Sequence, residues 1–157
     1  MISLKIHSMN IPTDFRPLSF KHNPFIEANG PLYGRWADDR FTLGFRVEER
    51  HCNPGLTCHG GMLSTLSDMT LLFGSNLQGK IHQYLVTITL TTDFLGPARV
   101  GEWIEGSCEV LRASKNMVFA QGLLQVEDRL IARLNGIFKP TGEPNSHSSL
   151  AKEFGLI

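Results

Sequence analysis

The chain has no surplus of either charge, because 15 Lys and Arg balance 15 Asp and Glu. A balanced surface has no broad field to draw it to nucleic acid or an anionic membrane, so any anionic ligand needs a local site. Cysteine is scarce: Cys52, Cys58 and Cys108 are an odd set. They are unlike the dense, even frameworks that staple small secreted domains, and reduced thiols in a cytoplasm are expected. No apolar stretch approaches the roughly 20 residues that cross a bilayer. The opening MISLKIHSMNIPTDF has no long apolar run behind a basic start, so neither a membrane span nor a signal peptide is expected. The usual metal-ligand spacings are also missing. His51-Cys52 and Cys58-His59 are adjacent pairs, and neighbours rarely aim both side chains at one ion, so no metal and no other cofactor are expected.

What is present suits one soluble domain with its own core, since the 157 residues are 41% apolar and 19% charged. Pro12, Pro17, Pro24 and Pro31 interrupt the first stretch, which predicts an irregular arm over 1–30 ahead of a domain over 31–140. The Ser-, Gly- and Pro-containing segment 141–157 reads as a flexible tail. From Phe41 to Val47, apolar Phe41, Leu43, Phe45 and Val47 alternate with Thr42, Gly44 and Arg46. That is the period of a half-buried strand, and LYGRW pairs with it across Ala37-Asp38-Asp39-Arg40. After HCNPGLTCHGG, a helix is expected over about Gly60–Ser75, with Met62, Leu66, Met69 and Phe73 as its apolar stripe. Its other side carries Ser64, Asp68, Leu71 and Ser75. Four further strands are expected over 84–94, 100–111, 117–126 and 130–138, with short turns at 113–116 and 127–129 that suit antiparallel hairpins.

Two strands, one helix and four strands make an α+β chain. A lone helix must bury its stripe on something, and the available partner is one curled antiparallel sheet of about six strands.

Asn53 through Asp68, NPGLTCHGGMLSTLSD, resembles the signature of PaaI-like and thioesterase-superfamily hot-dog-fold acyl-CoA thioesterases. Asp93–Gly106, DFLGPARVGEWIEG, resembles the strand-turn-strand segment of the same family. HGG alone is weak evidence. With Asn six residues before it, Asp nine after its His, and the PA-x-x-G-E segment, it is much stronger. The resemblance spans about 31–140 and implies a hot-dog fold: one long helix wrapped by the curled sheet. It also implies hydrolysis of an acyl-CoA thioester with Asp68 as the acid, the Gly60 backbone as oxyanion donor, Asn53 as the preceding polar residue and Thr87 as a water-positioning hydroxyl. His59 and Gly61 are expected beside the substrate.

The chemistry has its own logic. Attack on a thioester carbonyl builds negative charge on oxygen, and N–H groups at a helix start are unpaired and can stabilise it. A carboxylate in reach can activate water or attack directly. Gly60 and Asp68 are eight residues apart, about 12 Å along a helix axis, so one chain cannot bring both to one carbonyl. If both serve one substrate, they come from different subunits across a two-fold axis, in a homodimer or a dimer of dimers.

Blander assignments compete with these. An Asp on a helix is most often a solvated surface residue, and Thr87, Thr89 and Thr91 suit the polar side of any strand. Arg112, Lys115 and Lys139 could meet the phosphates of coenzyme A or merely aid solubility. A non-catalytic acyl-CoA-binding sensor fits the same fold. A hydratase or dehydratase fits less well, because no His follows His59 on the helix.

Overall fold

Asp38 and Asp39 both take positive φ, 52° and 56°, the pair of left-handed conformations that a two-residue type I′ hairpin requires and that Asp tolerates. In the computed structural model, which describes residues 10–20, 22–144 and 150–156, this turn closes the first hairpin of a seven-stranded sheet. The strands are β1 (Arg16–Pro17), β2 (Tyr33–Ala37), β3 (Arg40–Arg46), β4 (Tyr84–Phe94), β5 (Trp103–Ala113), β6 (Val118–Val126) and β7 (Arg129–Thr141). Their order is β1-β2-β3-β5-β6-β7-β4, and every neighbouring pair is antiparallel. The helices are α1 (Pro24–Asn29), α2 (Gly60–Gln78) and α3 (Leu150–Glu153), with a turn of 3₁₀ helix at Glu49–His51.

The chain leaves β3, runs through α2, and lands on the far edge of the sheet as β4. It then returns to fill the middle with β5, β6 and β7. This places α2 across one sheet face, touching β3, β4, β5, β6 and β7. The dominant helix and antiparallel sheet are those expected, and the seventh strand is the two-residue β1. β4 carries a bulge: Thr87 pairs with Phe138 and Thr89 with Ile137, leaving Ile88 as an extra residue.

Small residues set how closely helix and sheet approach. A Cβ on Gly74 of α2 would fall 2.3 Å from the Cβ of Cys108 on β5, and one on Gly106 of β5 would fall 2.3 Å from Thr70 Oγ1. Leu71 then reaches past the sheet glycines Gly122 and Gly136. The expected stripe is buried at Met62, Leu66 and Phe73, but Leu71 and Ser75, expected on the polar side, are fully buried too. The reason is that α2 is covered on two sides, by the sheet and by the arm and tail.

The arm and tail differ from an irregular lead-in and a free end. Asn23 caps α1 through its side chain, Pro24 opens the helix, and Phe15, Leu18 and Ile26 are buried. In the tail, α3 buries Ala151, and Phe154 just beyond it is buried as well. Phe154 and Phe20 both pack on Phe73 of α2, at ring-centroid distances of 5.0 and 5.4 Å. Residues 1–9 and 21 of the expected arm, and 145–149 and 157 of the expected tail, lie outside the described residues.

Ala is a better helix former than Gly, so an isolated-helix argument predicts that Gly74→Ala stabilises. The 2.3 Å approach to Cys108 reverses the sign, and the substitution should cost about 1–3 kcal/mol by overpacking. Urea denaturation should show a lower midpoint with an unchanged slope.

Candidate active site

The start of α2 is organised by its neighbours. An isolated antiparallel bridge pairs Cys52 with Cys58, and another pairs Thr57 with Arg99. Within that loop, Asn53 Oδ1 accepts from the Gly55 N–H (2.9 Å), the Thr57 N–H (3.3 Å) and the Thr57 hydroxyl (3.1 Å). His59 is the N-cap, and its Nδ1 accepts from the Gly61 N–H at 2.9 Å. The Met62 and Leu63 N–H groups both donate to the His59 carbonyl. Of the first four donors of α2, only the Gly60 N–H has no acceptor among the described residues. The Phe94 ring lies beside it, 3.4 Å from where a Cβ on Gly60 would be.

Two turns further along α2, Asp68 is half-buried and faces β4. Thr87 donates its hydroxyl hydrogen to Asp68 Oδ1 at 2.7 Å. Burial pushes the Asp68 carboxyl above its ordinary range, and the Thr87 hydrogen bond only partly opposes that shift. The pair sits in an open depression of about 470 Å³ shared with Asn23, Phe25, Ser64, Met69 and Leu90.

Asp68 and Thr87 are therefore together in one chain. Gly60, Gly61 and His59 form a separate group at the helix start, with Asn53 in the loop before them. Asn53 spends its side-chain oxygen on that loop, while its Nδ2 donates to nothing among the described residues. The cysteines are poor nucleophiles here, since burial pushes the Cys58 thiol up to about 12 and the Cys108 thiol up to about 11. Among the described residues, no three His, Cys, Asp or Glu side chains gather as metal ligands would, and no helix is long and apolar enough to cross a membrane.

The sequence reading did not place Asn23, Phe25 and Met69 beside Asp68. The Asn23-Pro24 pair was the available signal for α1, as an N-cap residue followed by Pro at the first helical position.

The family model for the thioesterase superfamily matches residues 55–132. A Pseudomonas aeruginosa protein whose name proposes an esterase is 39% identical over 131 residues, covering 83% of this chain and 97% of its own. The chain belongs to the thioesterase superfamily. It has the hot-dog fold of that superfamily. The structure of the E. coli PaaI protein superposes with a TM-score of 0.69 at 20% identity, over 78% of this chain and 88% of that one. Mouse acyl-coenzyme A thioesterase 13 is 29% identical over 86 residues, which cover 54% of this chain and 59% of the mouse protein. In this thioesterase-superfamily chain the matched segment contains Gly60, Asp68 and Thr87.

A carboxyl with a raised folded pKa binds its proton more tightly folded than unfolded. Its contribution to stability therefore falls as pH rises from the unfolded value through the raised one. Asp68→Asn removes that penalty and can still accept from Thr87. The variant should match wild type in acid, below the ordinary carboxylate range, and exceed it at neutral pH. Denaturant midpoints at the two pH values check this.

Proposed function

We propose that the chain hydrolyses an acyl-coenzyme A thioester to the free acid and coenzyme A, with Asp68 as general base or nucleophile. The observation that carries this is a half-buried carboxylate, held by Thr87 at 2.7 Å in an open depression. The name of the mouse relative supports an acyl-CoA substrate. A carboxylate raised by burial is a stronger base than one in water, which suits proton transfer near neutral pH. On the general-base route, water adds to the carbonyl carbon as Asp68 takes its proton, the C–S bond breaks, and the departing thiolate is protonated to coenzyme A. With its own proton committed to Asp68, Thr87 Oγ1 can accept an O–H from the attacking water and so position it. On the nucleophilic route Asp68 itself attacks the carbonyl carbon, the C–S bond breaks and the thiolate leaves to be protonated from solvent as coenzyme A, and water then hydrolyses the anhydride to the free acid and the Asp68 carboxylate.

The oxyanion donor is the Gly60 N–H of an opposing subunit. Two features support a shared site: the 12 Å estimate along α2, and the sheet edge. β4 is an 11-residue edge strand, and Val86, Ile88 and Phe94 on it are 41%, 52% and 55% exposed. A long apolar edge of this kind invites pairing with another strand, here from a second copy. Asn53 orders the loop leading to Gly60 and has Nδ2 free for the substrate, while His59 and Gly61, tied to each other, border the donor. Free Cys52, Cys58 and Cys108 accord with a cytoplasmic enzyme.

Asp68→Asn should fold and lose about 10²-fold or more of its rate on a panel of acyl-CoAs, followed by free-thiol release. Near-wild-type turnover would remove Asp68 from the chemistry. Tight acyl-CoA binding by wild type without turnover on any member of the panel would make the protein a sensor instead.

Subunit mixing tests the divided site. Gly60→Pro deletes the backbone donor, so homodimers of Gly60→Pro and homodimers of Asp68→Asn should both be nearly inactive. Unfolding and remixing equal amounts makes about half the dimers mixed, each with one intact site, and roughly a quarter of wild-type activity should return. Verified mixed dimers without recovery would show that Gly60 and Asp68 of different chains do not share a site.

A further inference from the structure

A second cavity, of about 480 Å³, lies between the N-terminal arm, α2 and α3. Its walls include Phe20, Met69, Leu72, Phe73, Tyr84 and Phe154. Three of those rings pack on one another: Phe20 to Phe73 at 5.4 Å, Phe20 to Phe154 at 5.3 Å and Phe73 to Phe154 at 5.0 Å. Asn23 and Met69 line both this cavity and the depression that holds Asp68, so the two spaces adjoin. Leu72 and Phe73 follow Asp68 by four and five residues, which places them about 6–8 Å further along α2, away from Gly60. Towards the helix start, the depression is bordered by the hydroxyls of Ser64 and Thr65.

We propose that this cavity is the acyl subsite and that it selects neutral apolar acyl groups longer than acetyl, an inference that rests on the acyl-thioester reading above. Polarity orients the substrate. With the carbonyl at Asp68, the apolar tail runs towards Leu72 and Phe73, where leaving water is favourable, and the thiol half lies on the hydroxyl side. The walls contributed by the arm (Ser19, Phe20 and Asn23) and by the C-terminal segment (Leu150, Glu153 and Phe154) lie outside the segment matched by the family model, 55–132. Acyl choice is thus shared between α2 and β4 of the matched segment and walls that lie outside it.

The test fills the cavity from opposite walls, with Leu72→Trp on α2 and Ser19→Trp on the exposed arm, each checked for folding and assembly. Turnover is measured with acetyl-, hexanoyl-, dodecanoyl- and benzoyl-CoA, and binding with the matching non-hydrolysable S-alkyl and S-benzyl coenzyme A thioethers. Wild-type kcat/KM should rise from acetyl to the larger groups. Each variant should lose about tenfold or more on the larger groups while staying within about twofold on acetyl. Thioether affinity should likewise stop growing with chain length, and the benzoyl and benzyl arms show whether aryl groups share the cavity. Equal losses on all acyl groups, or unchanged chain-length dependence in both variants, would overturn the acyl subsite while leaving thioester hydrolysis standing. No wild-type turnover, with a chain-length-dependent affinity that the variants abolish, would overturn hydrolysis and keep the subsite. Neither turnover nor thioether binding would overturn both.

Discussion

The close approach of α2 to the sheet is the constraint on which the rest depends. Gly74 meets Cys108, and Gly106 meets Thr70, with no room for a methyl at either place. A helix held off the sheet by larger side chains would still bury apolar surface. It would not bring Asp68 within 2.7 Å of a hydroxyl on β4. The seam is therefore a positioning device as much as a packing solution, since interiors packed near crystal density transmit small displacements instead of absorbing them.

That position has an electrostatic cost. Asp68 loses part of its hydration and, among the described residues, has one neutral hydroxyl in exchange and no cation beside it. Two carboxylates with arginine partners behave differently. Asp14 and Glu102 are held below their ordinary range by hydrogen bonds that include Arg35 and Arg129 respectively, in each case against an opposing desolvation effect. Those pairs are surface features of modest worth. A half-buried carboxylate whose pKa is raised by burial, at the wall of an open depression, is the different case.

Elements with a strong period were legible from the residues alone. The alternation through Phe41–Val47 and the Asp38-Asp39 turn are local signals that tertiary packing did not override. The same holds for α2, whose start is marked by Gly60-Gly61 after an N-capping His59. The Asp68–Thr87 pairing drew on the family resemblance, because two polar residues 19 positions apart in sequence carry no local sign of contact. Other features were hidden for physical reasons. Pro12, Pro17 and Pro24 break periodicity whether a segment is loose or docked, so the burial of Phe15, Leu18 and Ile26 left no pattern. Leu71 and Ser75 looked like an outer face because the period records one buried side, whereas α2 is covered on two. Asn53 was picked out as the polar residue before HGG, but the sequence did not reveal that its oxygen accepts within its own loop, a use available to any Asn that begins a turn.

The bulge at Ile88 makes the active face a matter of parity. In an unbroken strand, residues separated by an odd number point to opposite faces. Thr87 and Leu90 nevertheless border the same depression, and Phe94, seven residues after Thr87, lies against Gly60 on the helix side. The single extra residue between Thr87 and Thr89 restores agreement. One strand thereby serves the carboxylate in its first half and the helix start in its second. Loss of Ile88 itself would leave Thr89 and every later residue paired and facing as they are, whereas loss of Thr89 with the bulge kept would turn Leu90 and Phe94 outward together and strip the cover from Gly60. What is locked on this edge strand is accordingly the number of ladder-paired residues and not the length of chain, a whole-number restriction set by pleat geometry and not by any side chain.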